Sequence, residues 1–207
     1  MRAVLVANPK GGCGKTTLAT NLAAGLAHRD GRVVLWDLDR QKSSLEWLTL
    51  RPSTLPPVAA LGRKDDLEDR LPRKSAWLVI DSPAGLHGKN LALAIKPVQH
   101  VLVPIQPSLF DMAATRDFLA VLMEEKKARK HGNFIGIVGM RVDPRTRAAA
   151  TLETFLGKFN LPIVAHIRDT QHYANAAFTG QSIFDLPPYL GERDVAQWEP
   201  LLKWLDE

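Results

Sequence analysis

The 207-residue sequence predicts an α/β fold, a single mostly parallel central sheet with helices on both faces. Three observations carry that expectation. Short apolar runs rich in Val and Ile recur along the chain, too evenly apolar for strands with one wet face. Helix-like segments separate them, as parallel crossovers require. A glycine-rich turn follows the first run and leads straight into the first helical segment.

The strand-like runs are residues 4–7, 33–36, 77–80, 101–105, 134–138 and 163–167. Helical patterns fill residues 15–29, 90–96, 112–130, 147–158 and 193–206 between or after them. Pro52, Pro56 and Pro57 break the stretch 51–74, where 58–61 adds a short strand and 64–70 a charged helical turn. The chain shows no internal repeat and reads as one domain over 1–207, with no room before the first strand for a separate DNA-reading module.

Composition narrows the class. One cysteine excludes an internal disulfide and fits a reducing cytosol. No apolar run reaches the length of a membrane span, and the N-terminus is too short for a signal peptide. The net charge of +5 leans towards anionic partners. Its excess is local: Lys126, Lys127, Arg129, Lys130, Arg141, Arg145 and Arg147 face only Glu124, Glu125 and Asp143. A solvated helix face explains that stretch as well as a nucleic-acid footprint does.

Residues 10–17 read Lys-Gly-Gly-Cys-Gly-Lys-Thr-Thr. The usual phosphate-binding loop places four free positions between its glycine and Gly-Lys-Ser/Thr, whereas here two residues separate Gly11 from Gly14. Gly11, Gly12 and Gly14 allow positive φ and let backbone N–H groups close on phosphate oxygens. The helix that follows adds partial positive charge at the same place. Lys15 is expected on the β- and γ-phosphates of ATP, the Thr16 hydroxyl on Mg²⁺, and Thr17 on the α-phosphate. Cys13 fills the free position as a small, inert side chain. Asp37 and Asp39 close the second strand on one face, and Asp81 closes the third clear strand. Carboxylates at strand ends beside such a loop hold Mg²⁺, usually through water, which makes Asp37 and Asp81 metal candidates with Thr16.

With these residues the chain resembles the ParA-type partition ATPases of the MinD/ParA group of deviant P-loop ATPases. The carriers are the loop 10–17, Asp37-Leu-Asp39-Arg-Gln41, Leu78-Val-Ile-Asp81-Ser-Pro83, Leu102-Val-Pro-Ile-Gln-Pro-Ser108 and Met140-Arg-Val-Asp-Pro-Arg-Thr-Arg147. The resemblance implies that Lys10 reaches the phosphates of a partner's ATP across a homodimer and that Asp39 positions the attacking water. It also implies that Asp37 supports the first switch and Asp81 belongs to the Mg²⁺ shell. A ParB-like or adaptor activator, non-specific DNA binding, and a cytoplasmic, nucleoid-associated place belong to the same expectation. Arg168 and Arg193 fall near the family's DNA-contacting positions. Arg40 stands where the family usually has proline.

Other readings compete. A MinD-like membrane ATPase would end in a basic amphipathic helix. Here Pro200 interrupts residues 198–207, and Lys203 is the only late cation, so a helix docked on the core is expected instead of stable membrane association. A cluster protein of the nitrogenase iron-protein kind needs two cysteines per subunit and fails. A small-molecule ligase lacks an identifiable substrate pocket. The cargo of a positioning ATPase, whether plasmid, chromosome or protein assembly, is not written in these motifs.

Overall fold

The computed structural model describes residues 2–61, 76–127 and 135–207, with backbone alone for 125–127. Seven parallel strands form one sheet in the order β3-β2-β4-β1-β5-β6-β7. They are β1 (Arg2–Val6), β2 (Val33–Asp37), β3 (Val58–Leu61), β4 (Trp77–Asp81), β5 (His100–Ile105), β6 (Ile135–Met140) and β7 (Ile163–Ile167). The α/β expectation holds, including the short strand at 58–61, which pairs with β2 from Val33↔Val58 to Trp36↔Leu61. The chain builds outward from β1 in both directions, so the order reverses there. Ligands of such sheets bind at this point, beyond the carboxyl ends of the strands.

Alternation along β1 and β4 divides the core. Leu5, Leu78 and Ile80 face one layer with Val103, Leu119 and Ile137. Val4, Val6, Trp77 and Val79 face the other, with Leu18, Leu22 and Trp198. Both faces of the central strands are covered, which is why these runs lack the polar alternation of a half-wet sheet.

The helices are α1 (Lys15–Asp30), α2 (Ser43–Leu50), α3 (Gly88–Ile95), α4 (Leu109–Lys127), α5 (Arg147–Leu156), α6 (Gln171–Ala177), α7 (Pro188–Ala196) and α8 (Glu199–Trp204). A 3₁₀ turn at Ile183–Asp185 precedes α7. Helix α1 buries Leu18, Leu22 and Leu26 and stops at Gly31, whose φ of 77° suits only a residue without Cβ. Gly25 brings α1 against the C-terminal segment, since a Cβ there would lie 2.7 Å from the Phe184 ring.

Several expectations change. The single helix expected over 193–206 is two, because Pro200 lacks the N–H a helix interior needs and sits in the first turn of α8. Helix α4 starts three residues earlier than its apolar period indicated, where Asp111 and Ser108 exchange hydrogen bonds at its first turn. Helices α2 and α6 carried too little apolar period to read from sequence. The charged turn at 64–70 and the cations Arg129 and Lys130 lie outside the described residues, as do the side chains of Lys126 and Lys127.

The end of the chain packs on the core. Trp198, Leu201 and Leu205 are at most 1% exposed. Trp198 donates to the Tyr173 hydroxyl at 3.0 Å, and Trp204 meets His100 edge to face with centroids 4.8 Å apart. The apolar face that a membrane-binding helix would need is therefore buried. Trp198→Ala is expected to cost about 3–5 kcal/mol through the cavity it leaves. A urea midpoint within error of the parent would show that the terminal helices dock only loosely.

Candidate nucleotide site

The loop after β1 is braced from three sides. Asn8, fully buried, accepts from the Lys10 backbone N–H at 2.9 Å and donates to Pro104 O and Thr115 Oγ1. Gln106 donates to Gly12 O at 2.8 Å, and Gly85 N–H to Pro9 O at 3.0 Å. Of the three loop glycines, Gly12 (78°) and Gly14 (97°) use the positive φ open to them. At Gly14 the requirement is double, because a Cβ would also stand 2.9 Å from Met140 Cε. Gly14 is the N-cap of α1 and offers no side chain, and no acidic residue lies in the first turn. The helix therefore begins with N–H groups available to an anion.

The two lysines face different ways. Lys15 is 8% exposed, with Nζ inside the loop donating to Lys10 O at 2.8 Å. Lys10 Nζ lies outside, 3.5 Å from Gly11 O. Cys13 is buried beneath the loop with Sγ 3.2 Å from Lys10 O, and burial pushes its thiol pKa up, against the pull of Lys15. That suits a packing role.

Asp37 and Asp81 stand side by side as register partners on β2 and β4, each 1% exposed. Their surroundings differ sharply. Asp37 Oδ1 accepts from Asp39 N–H at 2.8 Å, and Oδ2 accepts from Ser44 N–H (3.1 Å), Ser44 Oγ (2.8 Å) and Leu45 N–H (3.4 Å). It caps α2, whose own N-cap, Lys42, sits at φ 57° and sends Nζ back to Asp37 O. Among the described residues no hydrogen bond of good geometry reaches either Asp81 oxygen, although the Thr16 and Ser44 hydroxyls lie near. Burial pushes its carboxyl up to about 7, reinforced by Asp37 and opposed by the nearby Thr16 and Ser44 hydroxyls and Lys15. Asp39, half-buried, accepts from Gln41 N–H through Oδ1. Loop, lysines and three acids thus converge at the carboxyl edge of β1, β2 and β4.

Residues 4–183 match the family model described as the CobQ/CobB/MinD/ParA nucleotide binding domain. The chain belongs to that family. A maintenance of carboxysome distribution protein A from Halothiobacillus neapolitanus is 29% identical over 187 residues, covering 87% of this chain and 86% of that protein. A protein of the same name from Gloeobacter kilaueensis is 32% identical over 188 residues, covering 88% and 83%. Among solved structures, a putative plasmid partition protein of Borrelia burgdorferi bound to AMPPNP superposes with a TM-score of 0.73. It is 18% identical and covers 98% of each chain, a likeness of fold.

ATP with Mg²⁺ fits the residues of this nucleotide-binding domain. An orphaned, buried carboxylate at Asp81 close to the Thr16 hydroxyl is what a cation with oxygen ligands requires. The start of α1, which no side chain caps, and the Lys15 ammonium suit phosphate. Bound Mg²⁺ supplies charge neutralisation at the phosphoryl oxygens. Asp37 is different: with four donors already on its carboxylate, it positions the segment of Asp39 and α2.

The predicted DNA contacts separate. Arg168 sends Nε and Nη2 to Asp194 (2.5 and 3.1 Å), a carboxylate with a fully buried side chain that also meets His172 at 2.7 Å. Arg193 is exposed and forms no ion pair among the described residues. His166 pairs with Glu153 at 2.8 Å. Sequence reasoning missed Asn8, Ser44 and Thr115, and quoted Gln106 only within the block 102–108 without a role. The position of Asn8, between the first strand and the loop, offered a signal; those of Ser44 and Thr115 did not.

Two outcomes test the site. Lys15→Ala is expected to abolish ATP binding, and calorimetry showing the parent's affinity would remove the loop assignment. Without nucleotide or Mg²⁺, Asp81 binds a proton in the folded state between its ordinary 3.8 and about 7, so folding stability should fall as pH rises across that window. Asp81→Asn should flatten the profile; urea midpoints that fall equally in both proteins would contradict the orphaned carboxylate.

Proposed function

We propose that this chain hydrolyses ATP and works as a nucleotide-gated homodimer that positions a cargo along DNA, with a ParB-like or adaptor partner stimulating turnover. The division of labour between the two lysines carries the reading. Lys15 is enclosed by its own loop, whereas Lys10 projects from the open rim on a backbone held by Asn8. A cation on that rim serves phosphates only if they approach from outside, as a second subunit's would. Charge supplied in this way stabilises the transferred phosphoryl group, in the manner of an arginine finger. Asp39, tethered by Asp37, orients the attacking water, and Asp81 with Thr16 holds Mg²⁺.

The carboxysome distribution relatives favour a large protein assembly as cargo over a plasmid. DNA contact would come from exposed cations such as Arg193, with Arg168 holding the C-terminal frame in place through Asp194. Nucleoid association in the cytoplasm follows from that role. A membrane-patterning function has less support, because Trp198, Leu201 and Leu205 are buried and no helix among the described residues is long and apolar enough to cross a membrane.

Asp39→Ala is expected to bind ATP, accumulate as a dimer and retain random-sequence duplex without hydrolysing. A monomer with ATP by light scattering, or DNA binding indifferent to salt, would defeat the reading. Lys10→Ala should keep ATP binding but lose stimulated turnover by about 10²-fold or more, as removal of one transition-state donor does. Full stimulated activity would end the trans-acting role.

A further inference from the structure

Between the two loops that carry the acids lies a cleft of about 780 Å³, bordered on one side by Asp39. Trp36 and Leu38 wall it from the end of β2, Pro83 and Leu86 from the segment after Asp81, and Leu93 from α3. Helix α3 is two-sided: Leu91 and Ile95 are buried in the core, while Leu93 lines the cleft 68% exposed. The Trp36 indole N–H is buried without an acceptor among the described residues.

The rim is positive. Arg40 lines the cleft and is exposed. Lys89 and Lys96, also exposed, sit four residues before and three after Leu93, the spacing that puts all three along one strip of helix surface. None of these cations forms an ion pair among the described residues. Among the described residues the only carboxylate lining the cleft is Asp39, whose Oδ1 is taken by Gln41 N–H.

We propose that this cleft docks an acidic, amphipathic segment of a partner protein, with apolar side chains against Leu38, Leu86 and Leu93 and carboxylates on Arg40, Lys89 and Lys96. The charge pattern decides the occupant. A nucleic acid backbone would find cations but set its phosphates over an apolar floor. An acidic amphipathic segment satisfies both. Because the walls are the loops of Asp39 and Asp81, an occupant there biases the geometry of the nucleotide site. That consequence rests on the ATPase reading; the docking itself does not.

Docking is tested without nucleotide, so its failure leaves the ATPase assignment untouched. Fluorescein-labelled 16-residue helical peptides, one of Leu and Glu and one of Leu and Lys, are titrated into the full chain by fluorescence anisotropy. The Leu/Glu peptide should bind saturably, weaken with added salt, and lose at least tenfold in affinity with Leu93→Asp and with Arg40→Glu/Lys89→Glu. Leu93 and both cations are exposed, and unchanged thermal melts of the variants would confirm that the fold survives. Equal binding of the Leu/Lys peptide, no binding at low salt, or undiminished affinity in Leu93→Asp would overturn the proposal. So would nucleotide-free self-association abolished by Leu93→Asp, which would assign the cleft to a second copy, or displacement of the peptide by random-sequence duplex.

Discussion

Two carboxylates side by side at the edge of a buried parallel sheet set the terms for this molecule. Asp37 and Asp81 are register partners on adjacent strands, both almost wholly removed from water. Like charges in a weakly polar setting cannot both remain bare. The fold resolves the conflict unequally. Asp37 receives four donors and becomes the cap of α2, whereas among the described residues Asp81 is left without a well-formed hydrogen bond.

The rest of the site follows from that asymmetry. Capping by Asp37 draws the chain after β2 into a tight path, with Lys42 forced to positive φ and Asp39 held above the strand end. Helix α2 then runs to Arg51, whose side chain is 5% exposed and reaches the buried Asp185 at 3.0 Å as well as Gly180 O. Asp185 also accepts from its own Ser182 backbone and meets His28 on α1. The segment from β2 to the end of α2 is thus anchored at one end by Asp37 and at the other by an ion pair that also fastens the C-terminal segment. Breaking a buried pair of this kind leaves an uncompensated charge, so the end of α2 is held firmly to the C-terminal segment.

The cleft beside the switch is the other consequence of this geometry. The chain leaves β2 and β4 in diverging directions, and α3 closes only part of the gap with its buried face. What stays open is apolar within and cationic at the rim, next to the residues that bear on nucleotide chemistry.

Much of this was legible in the chain itself. The buried strands announce themselves because a strand covered on both faces must be apolar at successive positions, and the loop does so because close approach to phosphate needs glycine and lysine at fixed offsets. Lys10, Lys15, Asp39 and Asp81 could all be named from those patterns. Helix α2 could not, since its start depends on a carboxylate seven residues upstream and its apolar face is little more than Trp47. Asn8 was hidden because its partners, Pro104 and Thr115, are about a hundred residues away. Arg168 looked like a free cation until Asp194 was found against it, 26 residues on. The sequence by itself determined the sheet, the loop and the chemistry available, because these rest on local period and residue type. Only the tertiary structure decided which acid is satisfied and which is left for a cation, which lysine turns inward, and which arginine is held, because hydrogen-bond supply is settled by neighbours distant in the chain.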